Sequence, residues 1–269
     1  MSDFLQTMAA SSAERAAAAD SGLTTAEFDQ PIVPLALGEF DVIAEIKDRS
    51  PAEGNLASDD SDRSVKAKHY ADGGAAAISV LTEPSQFGGA LQHLEEVVAA
   101  VPDTPVMRKD FLVEPVQVLE ARKAGASGIL LIVSMLSDDK LRAMLDCTWD
   151  HGMFVLLESF SEEDLARTSQ LLDTTVGQDK AQNGQLLVGV NTRDLRSLHV
   201  DPDRLSKLAP ALPAARCVAE SGLHDADDVA AVAALGYQLA LVGTALMRSD
   251  DPATLVATMR AAGSASAVA

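Results

Sequence analysis

The sequence predicts an α/β protein folded as a (β/α)8 barrel, the TIM-barrel architecture, and three observations carry that prediction. Eight short apolar runs rich in Val, Ile and Leu recur in order: DVIAEIK, AAISVL, TPVMRKD, SGILLIV, MFVLLES, QLLVGVN, ARCVAES and QLALVGT. Stretches of helical periodicity separate them, among them SDRSVKAKHYADGG and DADDVAAVAALG, and several open on Ser or Asp and close on Gly, as helix caps do. The alternation fills roughly 220 residues, close to the size of one such barrel. A doubly wound parallel sheet is the other reading of a β/α alternation. No GxGxxG follows the first strand, which weakens its dinucleotide-binding form.

Taken in order, residues 1–269 read as a single domain. Residues 1–38 form an N-terminal helical extension, 39–263 the barrel, and 264–269 a tail expected to fray. The opening MSDFLQTMAASSAERAAAAD carries Asp3 early and no basic start, so it reads as a helix rather than a signal peptide. Phe4, Leu5, Met8 and Ala9 lie at helical spacing and give it an apolar face. A Pro-containing connector, FDQPIVPLALGEF, leads into the first strand. There Val42, Ile43, Ala44 and Ile46 suit a buried strand, yet Glu45 and Lys47 interrupt it just before a turn at Ser50-Pro51 and Gly54. The polar stretch DTTVGQDKAQNG before the sixth strand reads as a surface loop.

Composition limits the functional classes. The chain is 47% hydrophobic but only 4% aromatic, so its core is built mainly from Val, Leu, Ile and Ala. A net charge of −19 opposes binding to nucleic acid or anionic membranes and leaves anion binding to a local basic pocket. No apolar run approaches the roughly 18 residues of a membrane span, and a cytoplasmic protein is expected. Cys147 and Cys217 are far apart and without ligand spacing, so they read as reduced thiols in the core. His69, His93 and His151 fall on helices or their ends and His199 and His224 in loops. No metal is expected.

In a (β/α)8 barrel the reactive groups stand at the carboxyl ends of the strands. Here those ends carry Glu45 and Lys47, then Arg108, Lys109 and Asp110, Glu158, Asn191 and Arg193, Glu220 and Ser221 before Gly222, and Gly243 and Thr244. Side chains alternate along a strand, so Glu45 and Lys47 share a face. A single charge at a strand end is ordinarily solvated or paired, and Arg108 and Asp110, flanking Lys109 on the opposite face, read that way. Lys140, Arg142, Glu162, Glu163 and Asp164 read as solvated helix surface. Two lysines, three glutamates and an asparagine converging on one mouth are different: such crowding tunes pKa values for acid/base work. The turns ESGL and LVGTAL set glycines where loops after strands seven and eight commonly bind phosphate. The residues alone therefore suggest a phosphorylated small molecule handled by lysine and glutamate.

Together VIAEIKDRSP, ISVLTEPSQFGG, PVMRKDFLVEPVQVLEARKAGASGILLIV, LLESFSEEDL, VGVNTRDL, VAESGL and LVGTALMRSDDP resemble, in order, the indole-3-glycerol phosphate synthase family of tryptophan biosynthesis. The resemblance runs from about Ile43 to Pro252; RKDF with NTRDL is its most specific part. It implies closure of an indole ring on 1-(2-carboxyphenylamino)-1-deoxyribulose 5-phosphate with loss of carbon dioxide and water, without a cofactor. Other enzymes of the pathway are the candidate protein partners. Carried over by position, it makes Lys109 the general acid of ring closure and Glu158 the carboxylate assisting proton removal and dehydration. Lys47 holds an anionic group and is a second candidate proton donor. Glu45, Asn191 and Glu220 orient the lysines and the substrate hydroxyls, and Arg193 contacts the anthranilate end. Ser50, Ser221, Gly222, Gly243 and Thr244 form the phosphate cradle, and Phe87 and Phe111 wall the aromatic ring or pack as core. The resemblance also puts the N-terminal helix over the mouth as a lid.

Two positions depart from the family pattern. Ala52-Glu53-Gly54 replaces a turn of small residues with lysine, and Ser159-Phe160 follows Glu158. An acid at position 53 should weaken anion attraction unless it faces out. Two rival readings remain: a catalytically silent scaffold subunit, or a related phosphate-binding barrel such as phosphoribosylanthranilate isomerase. For the isomerase, the cysteine and aspartate pair has no candidate in helical Cys147 or mid-strand Cys217.

Overall fold

The computed structural model describes residues 3–19, 28–51, 53–56, 62–193 and 200–267. The Ala52 of the departing turn and His199 lie outside them. Eight parallel strands close into a barrel: β1 (Asp41–Ile46), β2 (Ala77–Leu81), β3 (Val106–Lys109), β4 (Gly128–Ile132), β5 (Phe154–Ser159), β6 (Leu186–Asn191), β7 (Arg216–Glu220) and β8 (Leu239–Val242). Neighbours in sequence pair side by side, and β8 returns to β1. These strands are almost wholly buried, because helices cover the outside and side chains fill the inside. That double burial explains their near-continuous aliphatic runs.

Among the described residues, twelve α-helices accompany the strands: α1 (Asp3–Ala18), α2 (Arg63–Asp72), α3 (Pro84–Phe87), α4 (Leu91–Ala100), α5 (Pro115–Lys123), α6 (Asp138–Asp150), α7 (Glu162–Leu172), α8 (Thr175–Gln182), α9 (Arg204–Leu208), α10 (Ala226–Ala234), α11 (Thr244–Arg248) and α12 (Pro252–Ala267). Capping sets several starts. Asp62, Ser137, Ser161, Thr174 and Asp225 each accept a hydrogen bond from a backbone N–H of the first turn, which satisfies donors that a helix leaves open.

Three expectations are corrected here. The polar stretch before β6 is the helix α8, not a loop; Thr174 caps it at Gly177 N–H, 3.0 Å away, and Ala181 gives it a buried contact. The tail expected to fray from residue 264 stays helical to Ala267. Gly263 permits this, since a Cβ there would come within 2.2 Å of the Phe40 ring. Asp164 is buried at the start of α7 rather than solvated, and it accepts from the Phe160 N–H at 3.0 Å.

The N-terminal helix packs through the face its spacing suggested. Leu5 and Met8 are buried and Phe4 and Ala9 partly so. Phe4 meets Phe111 edge to face with centroids 5.9 Å apart, and Gln117 of α5 donates to Ser12 Oγ at 2.8 Å. Arg15 grips Asp110 with two hydrogen bonds of 2.9 and 2.8 Å. Burial by itself would raise the Asp110 carboxyl, but Arg15 and Arg108 reverse that and hold it down at about 2. Arg108 is buried in turn, bonded to Thr82 Oγ1, Gln117 O and Asp110. This pair flanking Lys109 is structural, as the sequence suggested.

Candidate active site

Register brings the polar side chains to one layer. Partners across parallel strands face the same side, and the register pairs Leu81 with Lys109, Ile132 with Glu158, Asn191 with Glu220 and Glu220 with Leu241. All point inward near the carboxyl ends of the strands, into a cavity of about 430 Å³. Its walls include Glu45, Lys47, Ser50, Phe87, Lys109, Phe111, Glu158, Asn191, Arg193, Ser221, Gly222, Gly243 and Thr244. Glu220 lies beneath them, fully buried.

Lys109 is the hub. Its Nζ lies 3.3 Å from Glu45 Oε2, 3.3 Å from Glu220 Oε2 and 3.7 Å from Glu158 Oε2. Glu45 uses its other oxygen to bind Lys47 at 2.7 Å, so one carboxylate spans both lysines. Burial would raise the Glu45 carboxyl; the charges of Lys47 and Lys109 outweigh it and bring it to about 2. Burial would likewise lower the Lys109 ammonium, but Glu45, Glu220 and Glu158 hold it well above its ordinary value. Glu220 goes the other way. Burial first, then the neighbouring Glu158 charge, push its carboxyl well up against the pull of Lys109. Glu158 Oε2 and Glu220 Oε1 are buried without hydrogen-bond partners among the described residues. Glu158 lines the cavity, where a ligand can reach it, whereas Glu220 lies below the lining.

Two glycines make the crowding possible. A Cβ on Gly189 would fall 2.0 Å from Glu220 Oε1, and one on Gly243 would fall 2.4 Å from Glu45 Oε1 and 2.9 Å from Lys47 Nζ. Gly243, placed in the phosphate cradle from sequence, therefore also clears space for the Glu45–Lys47 pair. Ser221 has φ 68° and Gly222 φ 74°. A serine in the left-handed region is strained, and such strain gathers at ligand sites. Thr192 Oγ1 donates to Ser221 O at 3.0 Å and so ties the end of β6 to that turn. Asn191 Oδ1 accepts from Arg193 N–H at 2.9 Å, so Asn191 also shapes the loop after β6.

Phe87 is set in place by Glu83, whose carboxylate caps α3 by accepting from the N–H groups of Ser85, Gln86 and Phe87. Its ring centroid lies 6.1 Å from that of Phe111. Sequence reasoning missed the apolar floor of Leu81, Leu130, Ile132 and Leu241 and the wall position of His224. The floor was readable in principle, because each floor residue lies two positions from, or in register with, another inward-facing position. Glu53 does not face out: it lines the cavity. Among the described residues no three His, Cys, Asp or Glu side chains are grouped to hold a metal ion. No described helix is long and apolar enough to cross a membrane.

The family model for indole-3-glycerol phosphate synthase matches residues 11–259. The chain belongs to the indole-3-glycerol phosphate synthase family. It is 44% identical over 246 residues to a Nocardioides sp. protein named for that activity, covering 90% of this chain and 89% of that one. A family member from Mycolicibacterium vanbaalenii is 44% identical over 223 residues, covering 82% of this chain and 77% of its own. Among solved structures, 3-hexulose-6-phosphate synthase from Salmonella typhimurium superposes with a TM-score of 0.63 at 17% identity, over 84% of this chain and all of that one. Thiamine phosphate pyrophosphorylase from Pyrococcus furiosus gives 0.55 at 14% identity, over 84% of this chain and 96% of its own. At such identities these two speak for the barrel fold that the family shares.

Proposed function

We propose that this chain catalyses the reaction its family is named for, as a carboxy-lyase of tryptophan biosynthesis. It closes the indole ring of 1-(2-carboxyphenylamino)-1-deoxyribulose 5-phosphate and releases carbon dioxide and water. The observation that carries the reading is Lys109, a half-buried ammonium ringed by Glu45, Glu158 and Glu220 in a cavity with a two-phenylalanine wall.

The anthranilate ring lies against Phe87 and Phe111, and the phosphate sits among Ser50, Ser221, Gly222, Gly243 and Thr244. Ring closure joins an aromatic carbon to the substrate's carbonyl carbon, and the carbonyl oxygen takes a proton as the bond forms. A cation fixed beside that oxygen stabilises the developing alkoxide without reorganising, and Lys109 supplies it. The carboxylate of the ring then leaves as carbon dioxide, its bonding electrons restoring aromaticity. Lys47 holds the anionic group before it leaves and is the second candidate acid. Dehydration needs one base and one acid, which Glu158 and a lysine supply. Glu45, Asn191 and Glu220 orient these groups.

Turnover of the substrate by purified protein, followed by the rise of indole fluorescence with EDTA present, tests this. Turnover in the wild type and its disappearance in Lys109→Ala is the expected result. A folded wild-type protein that leaves the substrate intact overturns the proposal.

A further inference from the structure

Three loops meet at the edge of the mouth where Ser50, Gly222 and Thr244 stand. The loop after β1 brings Glu53 to that edge. Its Oε2 lies 3.1 Å from Arg248 Nη2 at the end of α11, and its Oε1 lies 3.8 Å from Arg193 Nη2 after β6. One carboxylate thus joins the loops after β1, β6 and β8.

The other cations of the mouth are already engaged. Lys47 is held by Glu45 and Lys109 by three carboxylates. Ser50 and Thr244 bring hydroxyl and N–H groups to this edge but no charge. In a chain of net charge −19, a dianion arriving here needs a cation, and Arg248, one turn along α11 from Thr244, is paired with Glu53. A carboxylate and a phosphoryl group present similar oxygen edges to a guanidinium. They therefore compete for the same donors, and they repel each other while both are near. The bridge is also weak enough to exchange. The side chains of Glu53 and Arg248 are 27% and 59% exposed, where ion pairs contribute little and water readily replaces them.

We propose that Glu53 is a specificity-determining gate for the phosphoryl end of the ligand: its carboxylate holds Arg193 and Arg248 across the edge of the mouth, and an entering phosphoryl group displaces it and takes Arg248 as a ligand. The inference rests on the reading above that the bound molecule is phosphorylated. It makes release of the Glu53 carboxylate and docking of the phosphoryl group one exchange, driven by the difference between the two partners of Arg248. The family's lysine in this turn would add attraction; the glutamate adds selection.

Inorganic phosphate is the probe, with the full-length protein as wild type, Glu53→Gln, Glu53→Asp, Arg248→Met and the Glu53→Gln/Arg248→Met double variant. Its dissociation constant is read by titration calorimetry at low ionic strength and again in high salt, beside KM and kcat, with circular dichroism confirming the fold. Glu53→Gln should tighten phosphate by about two- to fivefold and lower KM with kcat unchanged. The gain should shrink in high salt, Glu53→Asp should keep the wild-type values, and Arg248→Met should erase the gain in the double variant. Phosphate binding in Glu53→Gln that is unchanged or weaker, or a gain that survives Arg248→Met, overturns the gate and makes Glu53 a structural strut. Failure of the reaction itself reads differently: a wild type without turnover, whose Glu53→Gln form still tightens phosphate through Arg248, keeps the gate and loses the activity.

Discussion

Lys109 shows how little freedom a single enclosed charge has. Three carboxylates within 3.7 Å fix the ammonium as protonated and aim it at the cavity. Lys109→Gln keeps the length and the polarity but removes the acid, so kcat/KM should fall by about 10²- to 10⁴-fold, while circular dichroism remains that of the wild type. Gly243→Ala tests the space around the same cluster. Its methyl group must displace Glu45 Oε1 or Lys47 Nζ, and the expected result is a large loss of kcat with unchanged secondary structure. Asp110 is a stability residue instead. Its carboxyl is lowered from 3.8 to about 2 by Arg15 and Arg108 against burial, a difference worth roughly 2 kcal/mol. A group whose folded pKa is depressed stabilises fully above its unfolded value and loses that contribution as pH falls through the folded value. Asp110→Asn should therefore unfold at lower urea than wild type at pH 7, with the gap closing between about pH 4 and pH 2. A gap independent of pH would place the effect in packing rather than charge.

At this scale the sequence was readable wherever strand parity decides. Glu45, Lys47, Lys109, Glu158, Asn191 and Glu220 sit at inward positions near strand ends, and alternation alone collects them. Glu53 stood out as a departure from the family pattern, but its bridge was not readable, because its partners lie 140 and 195 positions away and no local pattern encodes such a meeting. Gly189 was also hidden. A glycine within an apolar strand says that something approaches closely, but only the fold shows that Glu220 does.

Among the elements, α1 links the extension to the mouth. Phe4 touches Phe111, which lines the cavity, and Arg15 grips Asp110, the residue after Lys109. Removing residues before Pro31 should raise KM or abolish turnover, and a truncated protein with full activity would refute a lid role. The apolar spacing of Phe4, Leu5, Met8 and Ala9 made this helix legible. The α8 segment was misread because its composition is polar, although Thr174 and the Gln, Lys and Ala that follow suit a capped surface helix. The tail was misread for the opposite reason. Gly, Ser and Ala suggest an end without packing, yet Met259 is buried and Gly263 fits against Phe40. Small residues there mark a close approach rather than slack.

For the whole molecule, the charge of −19 sets up self-repulsion that the compact state must tolerate. Salt screens charges separated by more than about 10 Å at 0.1 M and screens buried pairs much less. The Tm should therefore rise as sodium chloride is raised from near zero to 0.2 M. A fall would mean that exposed ion pairs such as Arg167–Asp138 outweigh the general repulsion. The barrel was legible at this scale because eight apolar runs and their intervening helices repeat one unit. Closure has no local mark in any one residue; the count of eight runs argued for it against an open sheet, and β8 does return to β1.

That closure has a consequence for how the protein is made. Strand β1 hydrogen-bonds to β2 on one side, which follows it at once, and to β8 on the other, which begins only at Leu239. A ribosome adding about 5–20 residues per second needs roughly 10–40 s to travel from the end of β1 to the end of β8. Throughout that interval one flank of the first strand has no native neighbour, and the nascent chain is an open, sticky sheet edge. Pairing of that flank with another chain is a hazard of synthesis that ends when β8 emerges.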